Sequence, residues 1–247
     1  MPSKGCCRLA PLLAVLVLVL AGPAAEAGPW PRAPGTKFLS LSIERDRESN
    51  SYTGLYAEYG MDARNTLGFE LGHTNVGETS AMIWWQRALD DGSGPNRWVV
   101  SMGLGGFSRD GHTDPVGQIG AAWGRGFEGF MGGGWMSVET RVKFAASQTE
   151  IEEEEEENVV YEGDALTYLT PEVTAKAEAT LGLKPFAGIM FINQLRLEHR
   201  DDTGFSSKLA TSVVRDLGGP AKLELGLVAP ISGPGEAAIR LGTWLEF

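Results

Sequence analysis

The last eight residues, Arg240-Leu241-Gly242-Thr243-Trp244-Leu245-Glu246-Phe247, alternate with a period of two. In an extended chain successive side chains point to opposite faces. Leu241, Thr243, Leu245 and Phe247 therefore share one face, and Arg240, Gly242, Trp244 and Glu246 the other. The stretch reads as a strand with one apolar and one polar side. Two settings satisfy such a strand: the half-buried edge of a soluble sheet, or the wall of a barrel in lipid with its apolar face outward. The rest of the chain decides between them.

The pattern repeats along the sequence. Leu39, Leu41 and Ile43 alternate with Ser40, Ser42 and Glu44, and Leu67, Phe69 and Leu71 with Gly68, Glu70 and Gly72. Met136, Val138, Thr140, Val142 and Phe144 oppose Ser137, Glu139, Arg141 and Lys143. From Val173 to Leu181 every odd residue is apolar, which fits a strand better than a helix. Reading turns from polar, Gly and Pro clusters gives twelve such segments of roughly ten residues, the length a tilted strand needs to cross a bilayer. In this division Phe107 to Pro115 is a loop, Lys184-Pro185 a tight turn, and Ser147 to Leu166 a long acidic loop carrying the run Glu152 to Glu157. The register of Ser80 to Leu89 stays open, because Trp84 and Trp85 are adjacent.

The order in the C-terminal stretch (polar, any, Gly, two of any kind, apolar, any, aromatic) resembles the assembly signal that ends bacterial outer-membrane β-barrel proteins. That resemblance implies a closed antiparallel barrel of about twelve strands, ten or fourteen being the alternatives. It implies recognition by the barrel-assembly machinery through Arg240, Gly242, Leu245 and Phe247. It also implies contact with outer-membrane lipid and lipopolysaccharide. The longer charged segments, after strands one, three, five, seven and nine, are expected at the cell exterior and the tight turns on the inner side.

Composition agrees with this class. Glycine supplies 33 of 247 residues, spread through the alternating segments rather than gathered in a linker. No stretch after the N-terminus reaches the roughly 18 apolar residues of a membrane helix, so a membrane protein of this sequence has to cross as a closed barrel. Met1 to Ala27 reads as a secretory signal peptide: Lys4 and Arg8, an apolar run from Leu9 to Ala21, and Ala25-Glu26-Ala27 before Gly28. Its removal would take Cys6 and Cys7 with it, which leaves neither disulfide nor thiol chemistry. The net charge of −11 argues against a nucleic-acid partner.

With apolar residues outward, the opposite face lines the lumen. The candidates are Glu139, Arg141, Lys143, Lys176, Glu178, Arg196, Glu198, Lys208, Glu224 and Arg240, together with Glu44, Glu58, Glu70, Glu172, Lys222 and Glu246. Their signs are mixed, so strong selection of anions or cations is not expected. Two uses fit: a narrow water-filled channel for small hydrophilic solutes, or a plugged, structural barrel whose charges pair with one another. Tyr59, Trp98, Trp123, Trp135 and Trp244 lie near strand ends and are assigned to the lipid–water interface. A lipid hydrolase of this architecture places a serine two residues after a histidine. His73, His112 and His199 are followed at that spacing by Asn75, Asp114 and Asp201, so catalysis is not expected. No cofactor or resident metal is expected either. The acidic run has two uses, a solvated loop or a divalent-cation site bridging surface lipopolysaccharide.

Overall fold

The computed structural model describes residues 28–109, 111–150, 167–201 and 204–247. These form twelve strands: β1 (Lys37–Asp46), β2 (Ser51–Gly60), β3 (Asn65–Thr74), β4 (Thr79–Ala88), β5 (Asn96–Arg109), β6 (His112–Phe127), β7 (Gly134–Glu150), β8 (Thr167–Phe186), β9 (Ile189–Arg200), β10 (Gly204–Asp216), β11 (Ala221–Ser232) and β12 (Ala238–Glu246). Each pairs antiparallel with its neighbours in sequence, and β12 returns to β1, with Leu41 opposite both Leu55 and Thr243. The barrel is closed. Closure leaves no sheet edge, so every strand has a ladder on both sides for its backbone N–H and C=O groups.

The outer wall is apolar. Leu41, Ile83, Met102, Leu104, Ile119, Leu225, Leu227, Ile239 and Leu241 are all exposed, while Ser40, Ser42, Gln86, Gln118, Ser137 and Glu224 are buried inside. A soluble domain has the opposite arrangement, and a belt of this extent in water would be an aggregation surface. The membrane-barrel alternation inferred from the C-terminal strand thus extends around the wall. It also fixes the register of β4: Trp84 points inward with Met82 and Gln86, and Ile83 and Trp85 point outward.

The segment leading into β1, the C-terminus of β12 and the turns 61–64, 89–95, 128–133, 187–188 and 217–220 lie at one end of the barrel, here the terminal end. Connections after the odd-numbered strands lie at the far end. The 61–64 turn is held by Asp62, which accepts hydrogen bonds from the backbone N–H groups of Arg64 and Asn65 and from the Asn65 amide. Those donors, the Arg64 N–H foremost, hold its carboxyl below the usual carboxylate range.

Three expected boundaries move. The loop placed at Phe107–Pro115 is largely strand, with Phe107 opposite Asp114 and Ser108 opposite Thr113, because ladder pairing needs no apolar side chain. The turn placed at Lys184-Pro185 falls at 187–188, where Gly188 has φ 74°. Pro185 sits instead in a register irregularity between Leu183 and Phe186, a place that tolerates the missing N–H. The acidic loop is shorter than Ser147–Leu166, since β7 and β8 remain paired out to Glu150 and Thr167; the run Glu152 to Glu157 lies outside the described residues. The expected contrast of long and short connections also weakens: 89–95 and 128–133 at the terminal end exceed 47–50 and 75–78 at the far end.

Candidate functional site

The candidate site is the lumen, which has two chemically different levels. Near the terminal end the inward residues are large and apolar: Phe38, Trp135, Met190, Ile192, Val214 and Trp244 form one buried cluster, with Trp30 and Tyr56 packed against it. Phe38 meets Trp244 edge-on at 5.9 Å and Tyr56 at 6.1 Å, and Tyr56 lies 5.8 Å from Trp84. This is a floor packed like the interior of a soluble domain.

The chain preceding β1 is part of that floor. Pro29 is fully buried, and the Gln86 amide donates to the Gly28 carbonyl at 3.3 Å. The Arg32 backbone N–H donates to Thr66 Oγ1 at 3.0 Å. The Arg32 guanidinium donates to the Glu58 carboxylate, lies 3.5 Å from Glu246 and stands 4.4 Å over the Phe38 ring. The wall is cut to receive the segment. A Cβ on Gly124 would fall 2.3 Å from Pro29 Cγ, and one on Gly60 would fall 2.1 Å from the Ala33 carbonyl oxygen.

Above the floor lies a cavity of about 690 Å³ lined mainly by charged and hydroxyl side chains. Arg240 donates to Glu44 at 2.6 Å and to Glu224 at 3.0 Å, and Arg196 reaches the same Glu44 at 3.1 Å. Arg141 bonds Glu139 on its own strand and Glu70 at 2.7 Å. Lys176 pairs with Glu198 at 3.1 Å. Two of these contacts are chords across the lumen rather than neighbour pairs. Three strands separate β3 from β7, which Glu70 and Arg141 join, and three separate β9 from β1, which Arg196 and Glu44 join.

Each lumen glutamate with a described side chain has a cationic partner: Glu44, Glu58, Glu70, Glu139, Glu178, Glu198, Glu224 and Glu246. Lys143 and Lys208 have no ion pair or hydrogen bond among the described residues. Pairing on this scale follows from geometry, since opposite walls of a small barrel are within reach of two long side chains. Bridging guanidinium contacts, as from Arg240 to Glu44 and Glu224, also satisfy two carboxylates at once.

All ten lumen candidates from the sequence stand on inward-facing strand positions, and the cavity touches Glu139, Arg141, Lys176, Glu178, Arg196, Glu198, Lys208, Glu224 and Arg240. The side chain of Glu172 lies outside those described. Of the C-terminal candidates, Arg240 and Gly242 face the lumen, Leu245 is half-buried on the outside, and Phe247 is exposed beyond β12 with its backbone paired to Lys37.

The interfacial aromatics divide. Tyr59 and Trp98 are exposed on the outer wall, where Trp98 lies 6.3 Å from Trp123. Trp135 and Trp244 are buried in the floor, a correction to their assignment at the interface. Strand parity decides their direction, and both share the parity of lumen residues. Sequence reasoning missed the floor itself: Pro29, Trp30 and Arg32 lie in a Pro/Gly-rich lead with no periodicity, although Phe38 could have been found by its parity with Ser40. His73 faces outward, its Nδ1 2.9 Å from Thr79 Oγ1, and no serine takes that place.

No protein-family model matches the sequence. No curated protein matches it either. Solved structures do. The NanC porin superposes over 84% of this chain and 98% of its own, with 12% identity and a TM-score of 0.56. The KdgM porin does so over 85% and 99%, with 7% identity and a TM-score of 0.51. At these identities the likeness is one of fold: the chain is a closed twelve-strand antiparallel barrel that superposes on these two porins.

Proposed function

We propose that the protein spans the bacterial outer membrane and acts as a passive, weakly selective channel for small hydrophilic solutes. The observation that carries this is the cavity of about 690 Å³ lined by mutually paired charges, inside a closed barrel with an apolar outer wall. Paired carboxylates and guanidinium groups hydrate a solute without presenting a single-sign field, so discrimination between small anions and cations is weak. The channel uses no cofactor. The porin-type fold supports the outer-membrane location, and the N-terminal pattern of residues 1–27 supports export by a cleaved signal peptide.

Conductance of the refolded protein in planar bilayers tests the proposal. Discrete steps with a cation-to-anion permeability ratio near unity are expected. Their absence under all conditions would leave a non-conducting envelope barrel, the reading that the apolar floor favours.

Barrel-assembly recognition by Arg240, Gly242, Leu245 and Phe247 is proposed on the C-terminal pattern. Phe247 is free to be read because its side chain is exposed outside the ladder. Arg240 is committed to Glu44 and Glu224, so its part is played in the lumen once the barrel is folded. Deletion of Phe247 is expected to lower the yield of inserted barrel while leaving the reversal potential of inserted channels unchanged. Normal insertion of the deletion would show that β12 carries no such signal.

A further inference from the structure

The segment from Gly28 to Arg32 does not follow the wall. Gly28 sits by Ser137 on β7, Pro29 and Trp30 by Gly124 on β6, and Arg32 by Glu58 on β2 and Glu246 on β12. In the barrel order, β6 and β7 stand opposite β12 and β1. The segment therefore crosses the lumen along a diameter, at the level of the aromatic floor.

Its attachment differs from that of every strand. It has no ladder, and its polar anchors are the Arg32 contacts to Glu58, Glu246 and Thr66 and the single bond from Gln86 to Gly28. Gly35, at φ 79°, gives the chain a permissive joint just before β1. Withdrawing residues 28–33 breaks no strand pairing. Opening costs the burial of Pro29 and Trp30 and the polar contacts of Gly28 and Arg32 but no ladder hydrogen bond, so the segment can leave while the barrel stays folded.

We propose that residues 28–33 form a removable plug, latched by Arg32 onto Glu58 and Glu246, whose seating closes the terminal end of the lumen and whose release opens it. The consequence for flux rests on the channel reading, whereas the seating and release of the plug do not, and the two are tested separately.

Seating is read with Ser137→Cys, which lies beside Gly28, by the rate of labelling with a small water-soluble maleimide in the folded full chain. Arg32→Ala removes the latch, and Gly124→Leu fills the hollow that Pro29 and Trp30 occupy without altering the segment. Each is expected to speed labelling about tenfold by shifting the seated and released populations. Equal rates in all three proteins overturn the plug.

Flux is read with Gly28→Cys combined with Ser137→Cys. A Cβ on Gly28, which has φ 90°, would lie 4.0 Å from Ser137 Cβ, within disulfide reach, and the reduced form of the same protein controls for the strain of the substitution. Peptide mapping separates this bond from any involving Cys6 or Cys7. The oxidised protein is expected to be silent in planar bilayers and to conduct after reduction, with Arg32→Ala the most often open. Equal conductance of oxidised and reduced protein overturns the proposal that the plug gates flux. Faster labelling in Arg32→Ala with no conductance in any variant supports the plug and overturns the channel.

Discussion

The floor and the charged girdle of the lumen stand on the inward faces of the same strands. On β1 the inward series passes from Phe38 to Glu44; on β7 from Trp135 to Arg141; on β9 from Ile192 to Arg196; on β12 from Trp244 to Arg240. Over a few residues the wall changes from a packed apolar interior to a set of ion pairs around a cavity of about 690 Å³. The two levels are stabilised by different physics. In the floor, atoms are desolvated and touching, so a missing group leaves a void that the neighbours cannot fill. In the girdle, each carboxylate keeps some contact with the cavity, and a lost partner can be replaced in part by water.

That difference makes the floor the more sensitive level. Trp135→Ala is expected to destabilise the barrel by about 3 to 5 kcal/mol, the range for deleting a large buried aromatic. It is the extreme case because Trp135 is 2% exposed, lies within the cluster and has Lys184 5.3 Å from its ring. The urea midpoint of the folded barrel, followed by heat-modified migration or by circular dichroism, reads the effect. A shift no larger than that of an outer-wall control such as Trp98→Ala would mean that the cluster fills space without bearing stability.

The two levels were unequally legible in the sequence. The girdle followed from alternation alone: once Leu241, Thr243 and Leu245 are placed outward, Arg240 has to point in, and the same parity delivers Arg141 and Arg196. What alternation could not supply was the partners. Glu70 and Arg141 are 71 residues apart and stand on strands that do not touch, so their contact depends on the curvature of the closed barrel.

The floor was hidden for two further reasons. Trp135 and Trp244 lie near strand ends, where aromatic side chains often face lipid, and that preference points opposite to their parity. Trp30 and Arg32 sit outside any strand, so no period marked their direction. Glycines at positions 60 and 124 were visible, but a hollow acquires meaning only when its occupant is known. The Pro185 irregularity in β8 displaced the turn in the same way, through local geometry that a count of periods does not register.

The girdle gives the smaller stability effect and the sharper functional one. Arg141→Ala removes the chord to Glu70 and the contact to Glu139, whose side chains are 24% and 25% exposed. Because water reaches both carboxylates, the expected loss of stability is about 1 kcal/mol, well below that of Trp135→Ala. Two negative charges are then left without their partner in the lumen. The variant should conduct more than the native channel, since the obstruction between β3 and β7 is gone, and its reversal potential in a salt gradient should move toward cations. The shift should shrink when Glu70→Gln is added. An unchanged reversal potential would show that the ions do not pass the girdle. A stability loss equal to that of Trp135→Ala would show that the ion pairs are packed as tightly as the floor, and the contrast between the two levels would fail.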